Sequence, residues 1–297
     1  VPMAVLDCDL AASVKTGAFA GVRPEGFVQC GVGEHNAATV AGTLSVADVV
    51  TFFSDFGVFG IDEVYNQQRL NDINEAQVKL AVTHCGLDVG EDGKTHQCLD
   101  YVGAFRNLFG WKVIVPADPN QTDRAVRAMA GMSGCVAMAM GRSKTPVLLT
   151  EGGEPLFGGS YTFEYGKATW ARTGTDGVLV TMGTRAGICV DAADQLAAEG
   201  HGIGVCVVSS PLALDPQDMQ RVAEVPWVLV VEDHNWRTGL WASVVEWAAL
   251  AGVRPRIVPA GVDGYQSSGA AEELFARVGL DAPGVASRVR ALIESGS

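Results

Sequence analysis

Residues 26–53 read GFVQCGVGEHNAATVAGTLSVADVVTFF and hold a strand, a helix and a second strand in order. GFVQC (26–30) and VVTFF (49–53) are short apolar runs, and residues 34–46 between them follow a helical period. Ala38, Ala41, Gly42 and Ser45 fall on one face of that helix, a small-residue stripe that lets another backbone approach closely. Apolar strands joined by helical crossovers indicate a parallel sheet covered on both faces.

The alternation continues outward. Strands are predicted at 3–7, 78–84, 112–118 and 135–140, and helices at 58–71, 97–107 and 119–131. A Gly-rich stretch without periodicity (TEGGEPLFGGS, 150–160) then interrupts the pattern. A second unit follows, with strands at 177–182, 204–210, 227–233 and 255–260 and helices at 184–199, 216–223, 238–251 and 284–294. The fold class is therefore α/β, with two domains that each hold a mostly parallel sheet flanked by helices. The predicted bounds are 1–150, a linker over 151–165, and 166–297. The 297 residues agree with two domains at about 100–200 residues each.

Composition excludes several classes. With 48% hydrophobic and 19% charged residues the chain is not disordered. A net charge of −13 opposes binding to nucleic acid or anionic membranes. No apolar run approaches the ~18 residues of a transmembrane helix. The seven cysteines form no CxxC pair and read as buried, reduced thiols of a cytoplasmic protein. No signal peptide is visible. The chain begins VPMAVLDCDL, without Met and already in a strand, so a longer native N-terminus is expected.

Three stretches carry candidate chemistry. Glu34 opens the helix at 34–46, where the helix dipole favours a carboxylate, although an ordinary first-turn glutamate would look the same. THCGLDVGEDGKTHQCLD (83–100) is a polar, Gly-containing loop directly after a buried strand, at the sheet edge where open α/β sheets bind ligands. It reads either as a catalytic loop or as a metal site through His84, Asp92 and His96, whose spacing matches no standard zinc pattern. VVTFFSDFGVFGIDEVYNQ (49–67) carries Phe52, Phe53, Phe56 and Phe59, an aromatic stripe that serves as core or as a stacking platform.

Taken in order, LDCDLAASVKT (6–16), GVGEHNAATVAGTLS (31–45), SDFGVFGIDEVYNQQR (54–69), THCGLDVGEDGKTHQ (83–97), KVIVPADPNQTDRAV (112–126) and VVEDHNWRTGL (230–240) resemble the C-terminal half of transketolase. The resemblance implies thiamine diphosphate as cofactor, with Mg²⁺ (or Ca²⁺) held through a GDG…N motif that this sequence lacks. It therefore implies the small subunit of a split transketolase, completed by a large subunit that carries that motif, as an α2β2 heterotetramer. The implied reaction moves a two-carbon ketol unit from a ketose (phosphate) to an aldose (phosphate).

By the same resemblance Glu34 matches the carboxylate that activates the cofactor at pyrimidine N1′. Phe56 matches the ring stacked on the aminopyrimidine, with Phe59 and Phe53 shaping the pocket, and Asp9 lies near the thiazolium. Asp92 and His96 match residues that bind substrate hydroxyls during catalysis. His84, Ser13 and Arg142 match those that grip the sugar phosphate, and no residue of this chain is implied as a metal ligand. The sequence departs from the family at Glu63, where an Arg is common, at Lys94 in place of Pro, at 106–113, which lacks a Pro, and after Glu34. A specialised carboligase of secondary metabolism accommodates these departures. A 2-oxoacid dehydrogenase β subunit lacks the GEDGxTHQ loop, and 1-deoxyxylulose-5-phosphate synthase usually reads GADG there. A non-catalytic paralogue is disfavoured because Glu34, His84 and His96 are all present.

Overall fold

The computed structural model describes residues 2–296. The first sheet has six parallel strands: β1 (Met3–Asp7), β2 (Phe27–Gln29), β3 (Val50–Phe56), β4 (Lys79–Thr83), β5 (Lys112–Ile114) and β6 (Val136–Ala139), in spatial order β2-β1-β3-β4-β6-β5. Around it lie α1 (Ala11–Val14), α2 (Gly17–Val22), α3 (Glu34–Ser45), α4 (Tyr65–Ile73), α5 (Tyr101–Arg106) and α6 (Pro119–Gly131). The second sheet contains β7 (Ala168–Arg172), β8 (Gly177–Thr181), β9 (Ile203–Val208), β10 (Trp227–Asn235) and β11 (Arg256–Val262), in order β11-β10-β8-β9-β7. Its helices are α7 (Arg185–Ala198), α8 (Pro216–Gln220), α9 (Leu240–Ala251), α10 (Ala271–Val278) and α11 (Ala282–Gly296).

Both sheets are covered on both faces, which is why β8 and β9 are buried along their whole length and read as continuous apolar runs. Local signals set the helix ends. The Asp118 side chain accepts from Gln121 N at 2.7 Å with Pro119 at the first helical position, and Asp215 caps α8 before Pro216 in the same way. The small stripe on α3 works as predicted. Ala38, Ala41, Gly42 and Ser45 are buried, and Asn71 of α4 lies over Gly42 with its Nδ2 donating to Ala38 O. One apolar core runs through both sheets, joining Leu6, Phe53 and Val82 to Val180, Val228 and Trp247.

Several elements differ from the prediction. β3 continues through Ser54 and Asp55 to Phe56, three residues beyond 49–53. The helix expected over 58–71 forms in two parts, a π-helical wide turn at Val58–Glu63 and then α4. Gly60 sits so close to the sheet that a Cβ there would meet Val82 at 2.8 Å, and this approach breaks the regular helix. The helix expected over 97–107 forms only at 101–106. The strand expected over 112–118 ends at Ile114, because Val115 N turns to Ser209 O of the second unit and Pro116 has no N–H. β7, α1, α2 and α10 were not predicted, and β7 runs antiparallel to β9 as an edge strand. Helix 216–223 divides into α8 and a 3₁₀ turn at Arg221–Glu224.

Candidate active site

The order β2-β1-β3-β4 places four carboxyl ends side by side. The chain leaves β1 toward β2 and then crosses back to β3, so β1 and β3 flank the point where the winding reverses. Open α/β sheets bind ligands at such a point. The segment after β2 delivers Glu34, β1 delivers Asp7, Cys8 and Asp9, β3 ends in Asp55 and Phe56, and β4 delivers His84.

The β1 turn is internally satisfied. Asp7 accepts from Thr16 Oγ1 at 2.6 Å and from Leu10 N at 2.8 Å. Asp9 is exposed in a left-handed conformation (φ 65°), held by its N–H donating to Gln29 Oε1 at 2.9 Å. Ser13 is exposed on α1.

The adjacent corner is different. Glu34 is 8% exposed in the first turn of α3, and among the described residues no side-chain hydrogen bond reaches its carboxylate. Oxygens of Glu34 and Asp55 and the Cys8 sulfur lie within 4.8 Å of one another. Asp55 is fully buried; its Oδ1 accepts from Phe56 N at 2.7 Å and its Oδ2 has no partner. Burial pushes the Asp55 carboxyl up to about 7, opposed by the Phe56 hydrogen bond and reinforced by the charge of Glu34.

An aromatic group begins at Phe56, the residue after Asp55. The Phe56 ring stacks on His84 with centroids 3.7 Å apart, and Phe59 lies 6.1 Å from Phe56 and edge-on to His96 at 5.4 Å. His84 therefore covers one face of Phe56, a residue 9% exposed. His84 has φ 60° and pairs through Nδ1 with Thr83 Oγ1 at 2.8 Å; burial holds its imidazole below the usual range, with Asp92 opposing. Asp92 is exposed and His96 half-buried. Arg142 donates to Glu91 and to Val89 O of the same loop. Phe53 does not reach this surface: it is fully buried among core residues with Leu6 and Leu80, so its expected part in the pocket is corrected.

His84, Asp92 and His96 do not converge as a ligand set. Among the described residues, the clusters of candidate donors are Cys8–Glu34–Asp55 and Asp62–Cys98–Asp100. A cavity of about 450 Å³ lies elsewhere, between residues 143–149 and α7 and α10. Two of the family departures noted above meet: His35 Nδ1 is 3.8 Å from Glu63 Oε1 at the entrance to α3.

Loop 83–100 is held from the second sheet. Asp233 accepts from Leu87 N at 2.8 Å and Asp88 N at 3.2 Å, and it fits only because Gly86 (φ 80°) has no Cβ to collide with it. Asn235 N donates to Leu99 O, Tyr101 Oη donates to Asp233 O, and Gln97 and Gln266 exchange two hydrogen bonds. His234 Nε2 accepts from Val102 N at 3.0 Å, which assigns its proton to Nδ1, donating to Asn235 O at 2.8 Å. Burial pushes that imidazole down to about 4. Glu232 caps α9 through Leu240 N and Trp241 N, and burial pushes its carboxyl up to about 8. Sequence reasoning quoted residues 230–240 as a motif without giving it this role, and it did not single out Asp55.

Comparison with known proteins is concordant. The transketolase pyrimidine binding domain profile matches residues 2–147, and the transketolase C-terminal domain profile matches residues 166–285. A Methanocaldococcus jannaschii protein that carries the name transketolase C-terminal section is 29% identical over 97% of this chain and 89% of its own length. Rat transketolase is 25% identical over 98% of this chain but only 46% of its own length. A solved structure titled split gene transketolase, inactive beta4 tetramer, superposes with a TM-score of 0.85 at 29% identity, covering 98% of this chain and 92% of that one. Transketolase from Leishmania mexicana gives a TM-score of 0.80 at 25% identity over 99% of this chain and 43% of its own. The chain thus spans under half the length of these full-length transketolases.

Proposed function

The chain belongs to the transketolase family, and from that we propose that it is the small subunit of a split thiamine diphosphate-dependent transketolase, divided at residues 151–165 into a pyrimidine-binding and a C-terminal domain. The observation that carries this reading is Glu34: a buried carboxylate with no internal hydrogen bond, at a helix N-terminus, within 4.8 Å of Asp55, the residue before Phe56. A carboxylate left unpaired in that position fits a heterocycle that presents a nitrogen to it and a flat face to Phe56.

When bound, thiamine diphosphate supplies a nucleophilic carbon that carries the two-carbon unit between sugars. This chain's residues do the rest of the work assigned here. Glu34 holds a proton at pyrimidine N1′, and exclusion of water strengthens that hydrogen bond. Phe56 and Phe59 orient the ring, a contact of about 0.5–1.5 kcal/mol beyond area burial, with Asp9 near the thiazolium side. His96 and Asp92 bind substrate hydroxyls and move protons. His84, Ser13 and Arg142 receive the sugar phosphate.

The sequence offers no GDG…N motif for a diphosphate and its metal. The large subunit therefore holds Mg²⁺ (or Ca²⁺), and two copies of each chain assemble, since symmetric oligomers are the rule for such interfaces. No helix among the described residues is long and apolar enough to cross a membrane. Cytoplasmic sugar metabolism is the proposed setting.

Reconstitution tests the proposal. The purified chain alone should show no ketol transfer at any Mg²⁺ concentration, and addition of the large subunit should restore it. Activity of the lone chain comparable with the pair would overturn the split-enzyme reading.

A further inference from the structure

The corner at the end of β1 and β3 contains more acid than one activating carboxylate requires. Asp55 Oδ2 is buried without a partner, and Glu34 stands within 4.8 Å. The elements around Asp55 bring it Glu34 from α3 and Asp7 and Cys8 from β1; β4 lies beside it at Val82, and Gly60 of the wide turn packs on its Cβ. Both Asp7 oxygens are engaged elsewhere, Oδ2 by Thr16 Oγ1 and Oδ1 by Leu10 N, so Asp7 is not a proton partner for Asp55. Two carboxyl groups this close and this poorly solvated do not both ionise without a large repulsive cost. Asp55 is the more deeply buried of the two and its Oδ2 faces no other partner, which places the shared proton on Asp55.

We propose that Asp55 and Glu34 form a carboxyl pair sharing one proton, and that Asp55 is the positioning residue that supplies Glu34 with the proton it delivers to a ring nitrogen of a basic heteroaromatic ligand beside Phe56. The proposal rests on the reading of Glu34 given above. The step balances. Before delivery the pair holds one proton and a charge of −1. Delivery breaks one carboxyl O–H bond and forms one N–H bond on the ring lone pair, leaving two carboxylates beside a cationic ring. The summed charge of the corner is unchanged, so no new net charge is created in a buried place. Without Asp55 the same proton must come from solvent.

Two measurements test this. In the isolated chain, carboxyl-¹³C aspartate spectra should show a group titrating near neutrality. That group should be absent in Asp55→Asn, which keeps an acceptor for Phe56 N. Its midpoint should fall by about one unit or more in Glu34→Gln, where the neighbouring charge is gone. A normal aspartate midpoint, or one unmoved by Glu34→Gln, overturns the pair. In the assembled complex, thiamine diphosphate and Mg²⁺ are titrated by calorimetry at about pH 6.5 in buffers of different ionisation enthalpy. The wild type should take up almost no proton from solution and Asp55→Asn about one per site; equal uptake overturns delivery. If the pair titrates as described but the complex binds no thiamine diphosphate, the functional reading falls and the pair stands.

Discussion

The corner around Glu34 and the loop 83–100 lie on the same sheet edge, yet they are built in opposite ways. The loop contains a positive-φ histidine and three positive-φ glycines, and Asp233 of the second sheet accepts from its Leu87 and Asp88 amides, while His234 accepts from Val102 just beyond it. The corner keeps Glu34 and one oxygen of Asp55 without internal partners. A segment whose buried amides are matched contributes to stability. A segment with open valences is held in place by the rest of the fold and is available to something that binds. The difference separates residues that the fold needs from residues that the chemistry needs.

The largest effect expected from this contrast is on the corner. Glu34→Gln should slow exchange of the C2 proton of bound cofactor in the reconstituted enzyme by about 10²–10⁴-fold, or roughly 3–5 kcal/mol in the barrier. The melting temperature of the chain should hold or rise, because a crowded, unpaired carboxylate is removed. Normal exchange in this variant would mean that Glu34 has been given the wrong role.

The reverse pattern is expected of the clamp. Asp233→Ala leaves Leu87 N and Asp88 N without acceptors in a buried place, and urea unfolding should show a loss of about 2–4 kcal/mol. Asp233→Asn keeps one acceptor oxygen and should lose less. If Glu34→Gln destabilised the chain as much as Asp233→Ala, the contrast between the two regions would not survive.

The smallest effect is a pH dependence of the clamp. Burial keeps the His234 imidazole neutral when folded down to about pH 4, whereas in the unfolded chain a histidine titrates near its usual value of about 6.5. The unfolded state therefore binds more protons between these values, and this contribution is lost as pH falls through the window. The stability advantage of wild type over His234→Gln should shrink by about 2 kcal/mol between pH 6.5 and 5. A constant difference would show that the imidazole is more hydrated than its burial implies.

Much of this arrangement was legible in the sequence, for identifiable reasons. The small stripe on α3 and the apolar strands follow simple periods, so α3 and most strands fell where expected. Asp55 is hidden in the sequence because Ser54 and Asp55 interrupt an apolar run, and a buried acid inside a strand reads locally as a turn. β7 follows the Gly-rich connector and is a short edge strand with a half-buried pattern, which gives little periodic signal. The stacking of His84 on Phe56 and the reach of Asp233 into the loop join residues on different strands and in different domains, and no local pattern encodes such pairs.

The clamp also bears on how such a chain changes over generations. A recombination that replaced the second domain alone would deliver a new β10 to a loop shaped for Asp233, His234 and Asn235, and would strand buried amides at the carboxyl edge of the first sheet. The continuous core under both sheets adds the same penalty in apolar surface. The two domains would therefore have to change as one block, whereas exposed positions such as His35 and Glu63 lie outside both the core and the clamp.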